Sequence, residues 1–208
     1  MNNIERAKKS VELLKVQYPE AKCSLEYTDP FQLLIATRLS AQCTDARVNM
    51  VTPALFKRFP DAKSFSTADL SEVEELIKTC GLYKTKAKDL ISIGKDITER
   101  FGGIVPDTIE ELTTLSGVGR KTANLICGDI YKKPAVVTDT HLIRLCNRLG
   151  FVNTKDPYKV EMIMRDILPS EESNDFCHRA VLHGRAVCTA RKANCEECIL
   201  KDVCPKNI

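Results

Sequence analysis

Leu115-Ser-Gly-Val-Gly-Arg-Lys-Thr-Ala-Asn124 reads as a tight turn between two helices. On its N-terminal side Thr108 and Glu111 have the spacing of a capping box for a short helix. On its C-terminal side a second helix runs toward Tyr131, and Pro134 lies just beyond it. A five-residue turn is too short to hide its amides, and Gly117 and Gly119 permit positive φ and close approach of another chain. Exposed N–H groups at a helix start suit an anion such as phosphate, and Arg120 and Lys121 add positive charge there. Taken alone, the same residues also describe a helical corner with solvated basic side chains.

Working outward from this hairpin, apolar residues recur at helical spacing almost everywhere and strand alternation is nearly absent. Ile4, Ala7, Val11, Leu14 and Tyr18 share one face before Pro19 ends the first helix. Asp29-Pro30 and Asp156-Pro157 each place a cap before a proline at the first helical position. Thr44 and Asp139 are further caps, and Ser71 with Glu74 reads as a second capping box for a helix through Cys80 that Gly81 ends. Leu90, Ile91, Gly94, Ile97 and Phe101 mark another helix before Gly102-Gly103, and the last spans about Asn174 to Ala186. About ten short helices with tight connections predict an all-α fold. No low-complexity linker or internal repeat divides it.

The 208 residues are 43% hydrophobic and 28% charged, enough to bury an ordinary core. No stretch approaches the roughly 20 apolar residues that span a bilayer, and the N-terminus lacks the apolar core of a secretory signal. The expected location is therefore the cytoplasm. Net charge is only +3, but it is uneven: residues 61–79 carry five acids against two lysines, whereas 115–150 carry six Lys/Arg against two Asp. Basic charge thus gathers around the hairpin.

Ten cysteines are many for a reducing compartment, where disulfides rarely persist. Cys23, Cys43, Cys80, Cys127, Cys146 and Cys177 are scattered singly and read as small core residues. The other four form Cys188-x6-Cys195-x2-Cys198-x5-Cys204, sufficient for a closed metal site with four thiolate ligands. Spacing leaves the metal open between zinc and an iron–sulfur cluster, although zinc sites more often show two close Cys-x2-Cys pairs.

With the hairpin, four further segments resemble, in the same order, the endonuclease III family of DNA glycosylases. They are Leu39-Ser-Ala-Gln-Cys-Thr-Asp45, Gly81-Leu-Tyr-Lys-Thr-Lys-Ala87, Asp139-Thr-His-Leu-Ile-Arg-Leu-Cys-Asn-Arg148 and Leu182-His-Gly-Arg185. The resemblance covers essentially the whole chain. Two positions depart from the family pattern, Cys43 where alanine is common and Thr138 where valine commonly precedes the aspartate. The resemblance implies two helical lobes with a DNA-binding cleft between them. One is a six-helix lobe of 23–133 containing the helix-hairpin-helix at about 108–131. The other joins 1–22 to 134–208 and carries the cysteine loop 188–204.

The resemblance also implies roles. Lys121 becomes the nucleophile of a bifunctional glycosylase and abasic-site lyase acting on oxidised pyrimidines in duplex DNA, and Asp139 the carboxylate that stabilises charge developing on the sugar. The two would face each other across the cleft. At an ordinary pKa of ~10.4 only about one lysine in 2,500 is neutral at pH 7, so this chemistry asks for a lowered pKa. Gln42 would fill the gap left by the flipped nucleotide and Leu82 would wedge from the opposite loop. Gly117, Gly119, Arg120, Arg191 and Lys192 would meet the DNA backbone, and Asp45 and His141 would lie in the pocket. Cys188, Cys195, Cys198 and Cys204 would hold one 4Fe-4S cluster, chiefly as a scaffold. The expected protein is a monomer, associated with the nucleoid through DNA if prokaryotic. Competing readings are a mismatch-directed glycosylase on the same scaffold, disfavoured by Lys121, and a non-enzymatic iron–sulfur DNA-binding or redox protein.

Overall fold

The computed structural model describes residues 1–206, and helices dominate it. In chain order they are α1 (Asn3–Gln17), α2 (Pro30–Ser40), α3 (Asp45–Arg58), α4 (Ala62–Ser66), α5 (Leu70–Ile77), α6 (Tyr83–Arg100), α7 (Ile109–Leu112), α8 (Arg120–Asp129), α9 (Thr140–Arg148), α10 (Pro157–Ile167) and α11 (Ser173–Ala186), with a 3-10 turn at Ser170–Glu172. Among the described residues there is no strand, only an isolated bridge between Cys188 and Ala193. None of the described helices is long and apolar enough to cross a membrane.

The chain divides into two compact units, Met1–Cys23 with Lys132–Ile208, and Ser24–Tyr131. In the second unit α2 is buried on almost every side: Leu33, Leu34, Ile35, Ala36 and Leu39 have no exposed surface. Each of the larger side chains there contributes about 1.5–3 kcal/mol of burial. Phe31 of α2 packs against Phe65, and Phe65 against Phe59, with ring centroids 5.6 Å and 5.2 Å apart. This unit holds seven described helices, not six. The extra one, α4, is a single turn capped by Asp61, too short to show a 3.6-residue period.

In the first unit α11 packs against α9 and α1, and α10 against α1 and α9. Phe176, Ala180, Leu142, Cys146 and Leu14 are fully buried within it. Asp29, Thr44, Asp139 and Asp156 cap their helices through side-chain oxygens, as their spacing predicted. The Ser71–Glu74 box does not form. Asp69, two residues upstream, accepts from the Ser71 and Glu72 amides and starts α5 ahead of the expected cap. Thr108 caps α7 through the Glu111 amide, but Glu111 answers with its carboxylate on the Thr108 hydroxyl at 2.7 Å and not on the backbone.

Candidate active site and cysteine centre

The hairpin joins α7 to α8 in the second unit. Gly117 takes φ +68, and Gly119 is the N-cap of α8 with no side chain covering the first amides of that helix. A helix start without a side-chain cap of its own suits an external acceptor. A Cβ on Gly117 would stand 2.2 Å from Arg38 Nε and 2.9 Å from Asp89 Oδ2, whereas one on Gly119 would meet nothing within 4 Å. The first glycine is thus required by packing and backbone, and the second stands in the open.

What Gly117 packs on is a polar brace beneath the turn. Asp89 on α6 receives Arg38 Nε of α2 at 2.9 Å, a second bond from Arg38 Nη2, and the Ser116 hydroxyl at 2.7 Å. With side chains only 12% and 14% exposed, Arg38 and Asp89 form a charge-assisted pair shielded from solvent. Nothing in the local pattern marked Arg38 or Asp89, because their partners are distant in sequence. Lys121, the second residue of α8, is exposed, and Arg120 before it is half-buried.

Two other turns of this unit have non-glycine residues in left-handed conformation, Gln42 at φ 53 and Leu82 at φ 59. Both side chains are exposed, Leu82 by 58%. A non-glycine residue in this conformation carries backbone strain. Asp45 opens α3 and accepts from the Ser24 hydroxyl, so it has a structural task in its loop.

In the first unit Asp139 is half-buried and caps α9, its Oδ1 accepting the Leu142 amide at 2.7 Å. His141, two residues on, packs so closely on α11 that a Cβ on Gly184 would lie 2.7 Å from its Nδ1. Burial lowers the pKa of His141, with Arg144 and Arg185 acting in the same direction and Asp139 opposing them.

Cys188, Cys195, Cys198 and Cys204 line one cavity together with Leu145, Leu149, Val187 and Leu200. Arg148 donates to Cys188 Sγ at 3.1 Å and to the Thr189 carbonyl at 2.8 Å, while Arg144 Nε reaches the Cys188 carbonyl at 3.0 Å. Cys198 Sγ lies 3.4 Å from Nε2 of His183, which burial holds at about 4 and hence neutral. Thr189 Oγ1 accepts the Lys192 amide at 3.2 Å and shapes the loop on which Arg191 and Lys192 stand exposed. The spacing of the cysteines located this centre. Arg144, Arg148 and His183 escaped it, being side chains on two other helices.

Residues 35–170 match the family model for HhH-GPD superfamily base excision DNA repair proteins. An endonuclease III of a Synechocystis species is 48% identical over 97% of this chain and 92% of its own length. That of Escherichia coli K12 is 38% identical over 92% and 90%. A solved trapped covalent intermediate of an endonuclease III with DNA superposes with a TM-score of 0.91 at 36% identity, covering 99% of this chain and 97% of the other. The chain belongs to the endonuclease III family. Its work is base-excision DNA repair, as a DNA glycosylase and abasic-site lyase. The endonuclease III likeness extends over both units of the chain.

Proposed function

We propose that this enzyme removes oxidised pyrimidines from duplex DNA with Lys121 as its nucleophile and Asp139 as the carboxylate that supports it. The observation that carries the reading is an exposed lysine in the first turn of α8, directly after the uncapped, glycine-built start of that helix. The α8 amides hold a phosphate and fix the sugar–phosphate backbone relative to the amine. The Lys121 amine attacks C1′, the bond to the base breaks, and the resulting Schiff base permits β-elimination on the 3′ side. That a relative has been trapped as a covalent intermediate with DNA supports this route. Asp139 serves both as the α9 cap and as the negative charge that stabilises the developing cation on the sugar. Gln42 and Leu82 occupy the space the flipped nucleotide leaves, His141 and Asp45 border the base, and Gly117, Gly119 and Arg120 contact the backbone. On this reading the enzyme works in the cytoplasm, at the nucleoid if the cell is prokaryotic.

The four C-terminal cysteines line one cavity, and on this reading they would hold a 4Fe-4S cluster. Burial pushes the Cys198 and Cys204 thiols up, and the other sulfurs of the group add to it, so four thiolates in this apolar setting call for a cationic centre. Cys188, Cys195, Cys198 and Cys204 would hold the cluster, with Arg148 directed at the Cys188 sulfur and His183 at the Cys198 sulfur. Its contribution would be structural, ordering the tail on which Arg191 and Lys192 stand exposed toward phosphates.

Borohydride reduction during reaction with a thymine-glycol duplex tests the mechanism. Wild type is expected to give a covalent adduct and Lys121→Gln none. An adduct of undiminished yield in Lys121→Gln would reassign the nucleophile, and equal cleavage of undamaged thymine would sink the substrate class. Iron, sulfide and zinc analysis of the purified protein tests the cluster.

A further inference from the structure

Two cysteines outside the C-terminal loop adjoin the two left-handed turns. Cys43 directly follows Gln42, and Cys80 directly precedes Gly81-Leu82. The turns lie close: a Cβ on Gly81 would stand 3.2 Å from the Gln42 carbonyl oxygen. The two sulfurs are near enough for each to act electrostatically on the other. Cys43 is half-buried and open to a small reagent, whereas Cys80 is 1% exposed. Lys86, fully buried and donating to the Leu39 carbonyl at 2.8 Å, is near enough for its charge to act on both sulfurs.

We propose that Cys43 and Cys80 are an oxidation-responsive pair that closes to an intramolecular disulfide and pins the Gln42 turn to the Leu82 turn. With a low-molecular-weight disulfide such as oxidised glutathione as oxidant, the Cys43 thiolate attacks one sulfur and the other leaves as a thiolate. The Cys80 sulfur, losing its proton to solvent, then attacks the Cys43 sulfur of the mixed disulfide and expels the second thiolate. Two protein thiols are oxidised and one small disulfide is reduced to two thiols. The asymmetry of the pair sets this order. Burial, with Cys43 beside it, pushes Cys80 up to about 11, so Cys80 waits as a thiol while Cys43 meets the oxidant, and Lys86 favours the thiolate Cys80 becomes. In a reducing compartment such a bond is transient and regulatory.

The consequence for DNA rests on the reading of Gln42 and Leu82 as the residues that enter the duplex. A covalent bond brings the sulfurs closer than a thiol contact by about 1 Å or more. Misplacement by ~1 Å of a positioning group costs up to ~10²-fold.

The test equilibrates the holoprotein anaerobically with defined ratios of oxidised to reduced glutathione, followed by alkylation and tryptic digestion without reduction. The expected product links the Leu39–Arg47 peptide to the Thr79–Lys84 peptide. The same samples are expected to bind a duplex containing a tetrahydrofuran abasic analogue at least about tenfold more weakly, with recovery on adding dithiothreitol. Cys43→Ala is expected to bind equally under both conditions. Absence of the linked peptides, unchanged affinity despite the link, or an equal loss in Cys43→Ala, which carries the same cluster site, would each overturn the proposal. Cleavage of a thymine-glycol duplex by the fully reduced protein is measured alongside; failure there with the linked peptides present counts against the repair reading and not against the pair.

Discussion

Lys86 sits with no exposed surface and donates to the Leu39 carbonyl, one of the orphan acceptors at the C-terminal end of α2. A cation there also answers the helix dipole. Lys86→Met would keep much of the volume and leave the carbonyl unpaired, at a cost of about 1–3 kcal/mol in urea unfolding. The pH dependence has a definite sign. Burial lowers the Lys86 pKa from its ordinary 10.5, so between the folded and unfolded values the unfolded chain holds a proton that the folded chain lacks. Stability from this group is therefore full above the unfolded value and is lost as pH falls through the folded one. The advantage of wild type over Lys86→Met should widen between about pH 7 and about pH 10, and an equal gap at both ends would disprove the assignment. Such a residue is illegible in sequence, because a lysine on an amphipathic helix normally reads as solvated. Residue type alone was informative where chemistry restricts the choice, as with four cysteines in one short loop, and silent where burial decides, as with Arg38, Asp89 and Arg148.

At the scale of elements, most helix starts were legible because a cap is local chemistry: Asp29, Thr44, Asp139 and Asp156 each act within three residues of themselves. The Ser71 error was a competition between neighbours, won by the carboxylate of Asp69. The left-handed Gln42 and Leu82 could not be read, since tertiary context and not side-chain type holds a non-glycine residue there. Gly94 of α6 shows the same division. Helix propensity favours alanine over glycine by ~1 kcal/mol, yet a Cβ at this site would stand 2.6 Å from Phe65 Cβ, 2.8 Å from Ser66 N and 2.9 Å from Ala62 O. Two of these are backbone atoms of α4, which cannot swing aside. Overpacking at about 1–3 kcal/mol outweighs the propensity gain, so Gly94→Ala is expected to lower the urea midpoint with an unchanged slope. A raised midpoint would mean that α4 can move away at little cost.

At the scale of the molecule, the association of α1 with the C-terminal half is something no local pattern states. Contacts within the first unit supply it: Tyr18 Oη meets His183 Nδ1 at 3.3 Å, and Glu172 pairs with both Lys15 and Arg179. The tail from Cys188 has little structure of its own beyond the Cys188–Ala193 bridge and a few turn hydrogen bonds, and it is fastened to α9 through Arg144 and Arg148. If the proposed cluster joins the four sulfurs, the order of the tail depends on it, because metal-binding energy in such a loop is folding energy. Removing iron with a chelator should raise amide exchange across 188–204 by at least about tenfold, while α2–α8, a unit with its own core, keeps its protection. The treated protein should also bind DNA with a shallower salt dependence, by about one or two phosphate contacts, as Arg191 and Lys192 lose their fixed loop. If α2–α8 lost protection to the same extent as the tail, the cluster would be supporting the whole molecule, and its part would be far larger than that of a local scaffold.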